Sequence, residues 1–155
     1  MYTRILVPLE HSPYDTCILE HVRRLARTCG SSLVLIHVAD GFAARNIGQL
    51  HLRDSEEMRA DREYIERCAE ELHEEGFDTS AVLAAGDPAK EIVAAAEREG
   101  CDLIAMSTHG HRWLKDLIYG SVANTVRHVS AVPVLLVRST PSGTPARGAP
   151  VAAKG

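Results

Sequence analysis

Five short aliphatic runs, separated by four longer segments of helical period, constrain this chain more than any other feature of its sequence. The first run, Arg4-Ile5-Leu6-Val7-Pro8-Leu9, is continuously apolar after Arg4, which is the pattern of a strand covered on both faces. From Tyr14 to Cys29 the period changes. Ile18, Val22, Leu25, Ala26 and Cys29 recur at helical spacing, and Gly30 supplies a stop. Leu33-Val34-Leu35-Ile36-His37-Val38 is a second buried strand. Residues Gly41 to about Arg53 carry no clear period. Asp54 to Glu75 reads as a charged helix with an inner stripe of Met58, Ile65, Cys68, Ala69 and Leu72, closed by Gly76. Ala81-Val82-Leu83-Ala84-Ala85 is a weaker third strand. Asp87-Pro88 opens the next helix with a capping carboxylate and a proline at the first helical position, and that helix continues through Ile92, Val93 and Ala96 to Gly100. Asp102-Leu103-Ile104-Ala105-Met106-Ser107 is the fourth strand, Ser121 to Val129 the last helix, and Pro133-Val134-Leu135-Leu136-Val137 the fifth strand.

Strands alternating with helices predict a parallel sheet with right-handed crossovers. Five strands fit the flavodoxin-like order 3-2-1-4-5, a doubly wound α/β sandwich with helices on both faces. Such a sheet binds ligands beyond the carboxyl ends of its strands, where the strand order reverses between strands one and four. Two turns are thereby singled out before any motif is considered. One is Pro8, Leu9, Glu10, His11 and Ser12; the other runs from Met106 to Gly110.

The chain's 155 residues suit one domain, and 45% apolar with 25% charged residues is an ordinary globular balance. A net charge of −4 gives no reason to expect a nucleic-acid partner. No apolar stretch approaches the roughly 20 residues a membrane span requires. Met1 to Arg4 leads directly into the first strand, so no secretory signal is expected and the cytoplasm is the default location. Cys17, Cys29, Cys68 and Cys101 form no Cys-x-x-Cys pair. The first three fall on or beside apolar helix faces, as small buried hydrophobes. From Ser139 to Gly155 the composition shifts to Pro, Gly, Ala, Ser and Thr without hydrophobic period, so residues 1–138 are read as the domain and 139–155 as a tail.

The second singled-out turn carries the chemistry of a phosphate site. Ser107-Thr108-His109-Gly110 follows strand four, and Gly120-Ser121 opens the last helix ten residues later. Glycine lets backbone N–H groups approach an anion without a Cβ in the way, and a helix amino terminus presents free amides and a positive dipole end. Arg112 and Lys115 lie between, with charge to offset phosphate. His109 and His111 share this loop; without a third ligand they are better read as surface or phosphate-contacting histidines than as a metal site.

The chain resembles the universal stress protein family over about Thr3 to Arg138. The resemblance is carried by Ile5-Leu6-Val7-Pro8 followed by an acid and a serine, by Gly86-Asp87-Pro88, by Met106-Ser107-Thr108-His109-Gly110, by Gly120-Ser121-Val122 and by Val132-Pro133-Val134. ATP-binding members of that family carry G-x-x-G-x9-G-[ST], and the matching positions here are Ser107, Gly110, Gly120 and Ser121. The resemblance implies that ATP is the ligand; any divalent ion, magnesium or manganese, is expected to arrive with its phosphates. It implies further that Glu10, where the family usually has aspartate, contacts the ribose hydroxyls, and that Val38 and Met106 line the adenine pocket. Ser107 replaces the motif's first glycine, and His11 a frequent glycine. The family commonly dimerises through its last strand. Here that strand is an apolar sheet edge, which needs covering, so a homodimer through residues 132–138 is expected.

The leading reading is a stress-response or regulatory protein that holds an adenine nucleotide. No catalytic set is evident beside His109 and Glu10, both of which already have a binding explanation. Two alternatives stay open at this point: a dimeric stress protein that binds no nucleotide and acts through protein contacts, and a slow ATPase.

Overall fold

Strand β1 (Arg4–Pro8) occupies the centre of a five-stranded parallel sheet of order β3-β2-β1-β4-β5. The computed structural model describes residues 1–40, 51–109 and 121–139. Around β1 the chain builds α1 (Asp15–Cys29), β2 (Ser32–Asp40), α2 (His51–Glu74), β3 (Thr79–Gly86), α3 (Pro88–Arg98), β4 (Leu103–His109), α4 (Ser121–Val129) and β5 (Val134–Ser139). This is the flavodoxin-like order that the alternation of runs predicts.

The unbroken apolar runs follow from the two cores they must serve. Side chains alternate across a strand. Ile5, Val7, Leu33 and Leu35 therefore enter one core with Ile18 and Val22 of α1 and Ile65 and Leu72 of α2. Leu6, Val34, Ile36 and Ile104 enter the other with Ala89, Ile92 and Ala96 of α3 and Ala123 and Val126 of α4. Burying each of these larger aliphatic side chains contributes roughly 1.5–3 kcal/mol.

Local signals set the ends of the elements. Gly30 adopts φ 69° and returns its N–H to the Ala26 carbonyl, ending α1. Asp87 caps α3 by accepting from the Lys90 N–H at 2.9 Å, with Pro88 in the first turn. At the amino end of the sheet Asp102 accepts from the Thr3 N–H (2.8 Å), the Thr3 hydroxyl (2.7 Å) and the Arg4 N–H (3.0 Å), fixing β1 against the start of β4. Burial by itself would raise the Asp102 carboxyl's pKa, but the backbone donors of Thr3 and Arg4 and the Thr3 hydroxyl outweigh it and lower the pKa.

Three expectations need correction. Strands two to five extend past their apolar runs, because ladder pairing of Asp40 with Gly86 and His109 with Ser139 continues after the apolar pattern ends, and α2 begins at His51, inside the stretch expected to carry no period. Met58 does not belong to the inner stripe of α2; it is 40% exposed. Asp61, three residues on, already contacts His37 near the carboxyl end of β2 and His11 in the loop past β1, so the stripe of α2 meets the core only from Ile65 onward. Finally, Cys68 is buried as expected, with its thiol pKa raised by burial, but Cys17 and Cys29 are only partly buried.

Candidate functional site

The carboxyl ends of β1 and β4 lie side by side where the strand order reverses. Pro8 closes β1 beside Ile36. Leu9 is buried, and its N–H donates to the Ile36 carbonyl at 2.8 Å. The chain then turns outward through an exposed Glu10, and at His11 it takes φ 58°. That left-handed conformation costs glycine little and other residues more. The glycine that the resemblance implies here fits that backbone, and the His11 side chain is held by contacts from α2.

The anchors come from two helices. Asp15, the first residue of α1, is 1% exposed. Its Oδ1 accepts from the Glu10 N–H at 3.0 Å, and its Oδ2 accepts from the Ser12 N–H at 3.1 Å and from the Tyr64 hydroxyl at 2.7 Å. A buried carboxylate is tolerable when charge-matched donors surround it, and here the donors are the amides of the loop itself. The Tyr64 hydroxyl has a raised pKa, first because it is buried and second because it donates to Asp15. Ser12 accepts from the Tyr14 N–H with its own hydroxyl at 3.3 Å.

A second set lies alongside. Asp61 of α2 meets His11 Nδ1 at 2.7 Å through one oxygen and His37 Nε2 at 3.2 Å through the other. The His11 ring stacks on Tyr64 with centroids 4.1 Å apart. His37 Nδ1 lies 2.9 Å from the Leu9 carbonyl oxygen. The backbone from Leu9 to Ser12 is thus held from below by β2 and from one side by α1 and α2.

Across the reversal, Met106 is 6% exposed and belongs to the core under α3 and α4, and Val38 packs partly buried against the same core. Both lie on one face of the sheet, near its carboxyl edge. Ser107 pairs with Val137 and is partly exposed, and His109 ends β4. Ser121 is the first residue of α4, exposed, and Val122 packs against the α3/α4 core. The first turn of α4 holds no acidic residue and its last turn holds Arg127 and His128, so charge does not oppose an anion at its amino end. Gly110, His111 and Gly120, with Arg112 and Lys115, lie outside the described residues.

Sequence reasoning missed Asp15, His37, Asp61 and Tyr64. His37 sits inside a strand run, and Asp61 and Tyr64 sit in a helix rich in charge, so only spacing hints at their role. Residues 61, 65, 68 and 72 share one helix face. Among the described residues no group of three or more His, Cys, Asp or Glu side chains is arranged to hold a metal ion.

Fold and loop together define a doubly wound α/β domain with a braced loop at the reversal of its sheet. Residues 1–138 match the model of the universal stress protein family, and the chain belongs to that family. It is 32% identical to universal stress protein MJ0577 of Methanocaldococcus jannaschii, over 89% of this chain and 96% of that one. The solved structure of MJ0577 superposes with a TM-score of 0.78 at 30% identity, covering 90% of this chain and 98% of that chain. Universal stress protein YxiE of Bacillus subtilis is 27% identical over 89% of this chain and all (100%) of its own length. A universal stress protein from Archaeoglobus fulgidus, solved in complex with dAMP, shares the fold with a TM-score of 0.64 at 20% identity, covering 87% of this chain and 97% of that one.

Proposed function

We infer that this chain is a nucleotide-holding stress-response protein whose ligand is ATP. The observation that carries the reading is the coincidence of motif and place. Ser107 and Ser121, the outer positions of the Ser107, Gly110, Gly120, Ser121 spacing, fall in the carboxyl half of β4, the strand that neighbours β1 across the reversal, and at the first residue of α4. In this reading the phosphates rest on that loop and on the amides of α4. The Glu10 carboxylate takes the ribose hydroxyls, and Val38 and Met106 border the base. A family relative solved with dAMP supports the ligand class. Magnesium or manganese would arrive with the phosphates, held chiefly by them.

The reading is of binding rather than turnover. Asp15, Asp61, His11 and His37 are engaged in holding the loop, and His109 and Glu10 have a binding explanation in this reading. The reading also includes a homodimer. β5 is an edge strand, and Leu136 on it is 39% exposed. Pairing with the same strand of a second copy would cover both the apolar side chain and the open backbone groups.

Displacement of a fluorescent ATP analogue tests the site. Gly120→Val, which puts a branched side chain where backbone must approach phosphate, is expected to weaken binding at least about tenfold, roughly 1.4 kcal/mol. A Gly120→Val protein that binds as tightly as the parent would show the phosphate position to be wrong.

A further inference from the structure

His37 is 8% exposed, yet both of its ring nitrogens face acceptors: the Leu9 carbonyl oxygen at 2.9 Å from Nδ1 and Asp61 Oδ2 at 3.2 Å from Nε2. A neutral imidazole has one N–H and an imidazolium has two. Both contacts become hydrogen bonds only if the His37–Asp61 pair carries one proton more than a neutral ring beside a carboxylate. That proton can be written on His37 Nε2 or on Asp61 Oδ2; it belongs to the pair. The other oxygen of Asp61 stays free to accept from His11 Nδ1 at 2.7 Å. With the proton present, one continuous set of bonds ties Leu9 and His11 to α2. Without it, either the Leu9 carbonyl or Asp61 loses its donor.

We propose that this shared proton regulates the nucleotide site: bound, it clamps the Leu9–Ser12 loop in the position described, and its release as pH rises loosens the loop and weakens nucleotide binding. The proposal rests on the nucleotide reading above, since the clamped loop carries Glu10. The sense follows from the bond count: with the extra proton both ring nitrogens of His37 have a bonded partner, and without it one of the two acceptors is left without a donor.

Among the described residues, the titratable groups shown against His37 are Asp61 of α2, in contact, and His11 of the loop, whose ring is edge-on at 6.4 Å; Tyr64, which stacks on His11, and Asp15, which accepts from Tyr64, stand behind them. β3, which pairs with this stretch of β2, has only uncharged residues from Thr79 to Gly86. Asp15 bonds the Glu10 and Ser12 amides separately, so the loop does not unfold when the clamp opens; it loses one of two braces.

Two measurements test this. In the nucleotide-free protein, the Glu10 and Ser12 amide resonances are followed from about pH 5.5 to about pH 8.5, the range in which histidine titrates. They are expected to move together with the His37 ring resonances in the parent and to stay still in His37→Gln. Should His37→Gln not fold, Asp61→Asn, which keeps shape and removes the carboxylate, is expected to abolish the same titration. Loop amides that do not follow His37, or that titrate equally in the variant, overturn the clamp. The second measurement is ATP affinity over the same range. A fall of roughly fivefold or more toward high pH is expected in the parent beyond that seen in His37→Gln, which still contains the titrating phosphates of the nucleotide. Equal pH profiles in parent and variant overturn the regulatory step. A parent that binds no nucleotide at any pH would instead overturn the nucleotide reading and the regulation with it, while the amide titration still decides whether the clamp exists.

Discussion

Tyr64 donates its hydroxyl to Asp15 at 2.7 Å, joining α2 to α1 directly beneath the loop that leaves β1. The bond does more than link two helices, because the same carboxylate holds the Glu10 and Ser12 amides. Tyr64→Phe deletes one donor from a carboxylate that is 1% exposed, and is expected to cost about 1–2 kcal/mol in urea denaturation. Asp15→Ala strands two loop amides and the tyrosine hydroxyl together, and is expected to cost more, about 3 kcal/mol. The raised Tyr64 pKa adds a pH signature. The folded state keeps the phenol proton that the unfolded chain releases above its ordinary value of 10.0, so the parent should lose stability as pH rises beyond that value and Tyr64→Phe should lose less.

At the opposite end of the sheet, Asp102 plays a structural part of the same kind. Its pKa is lowered in the folded state, so it contributes stability above the ordinary aspartate value of 3.8 and loses it as pH falls through and below that value. Asp102→Asn is expected to destabilise at neutral pH by about 1–2 kcal/mol and to flatten the acid limb of a stability-against-pH curve. An unchanged acid limb would show that the three hydrogen bonds from Thr3 and Arg4 contribute nothing net.

The exposed edge of β5 makes a prediction about assembly. Sedimentation equilibrium at micromolar concentration is expected to give a dimer, and Leu136→Lys, at the 39% exposed position of that edge, is expected to give a folded monomer. A parent that stays monomeric would end the proposal that β5 pairs with its copy.

How much of this was legible in the sequence depended on whether the signal was local. Strand runs, helical period and stops such as Gly30 depend on neighbours a few residues apart, and they placed every strand and helix described. α4 runs from Ser121 to Val129 as expected. Element ends were harder, since ladder pairing carries β2 and β3 past their apolar residues. Met58 misled because its spacing suits the stripe, whereas burial depends on where α2 meets the core. The positions of Pro8 to Ser12 and Met106 to His109 at the reversal followed from topology alone. The bracing of that loop did not. His11, His37 and Asp61 are brought together by the crossover through α2, and no local pattern marks a histidine in an apolar run as the partner of an aspartate in the next helix. The hints were indirect: residue 61 shares a helix face with 65, 68 and 72, and the glycine that the resemblance implies at position 11 fits the φ of 58° found at His11.

The most direct test of the central claim is calorimetric titration of the purified, nucleotide-stripped protein with ATP, with ADP and AMP as comparisons, at a pH in the acid half of the histidine range. Saturable binding of ATP with about one site per chain, at a dissociation constant in the micromolar range (roughly 8 kcal/mol), is the predicted result. No heat of binding up to millimolar ATP would contradict it and leave a braced loop at the sheet reversal with some other ligand to hold.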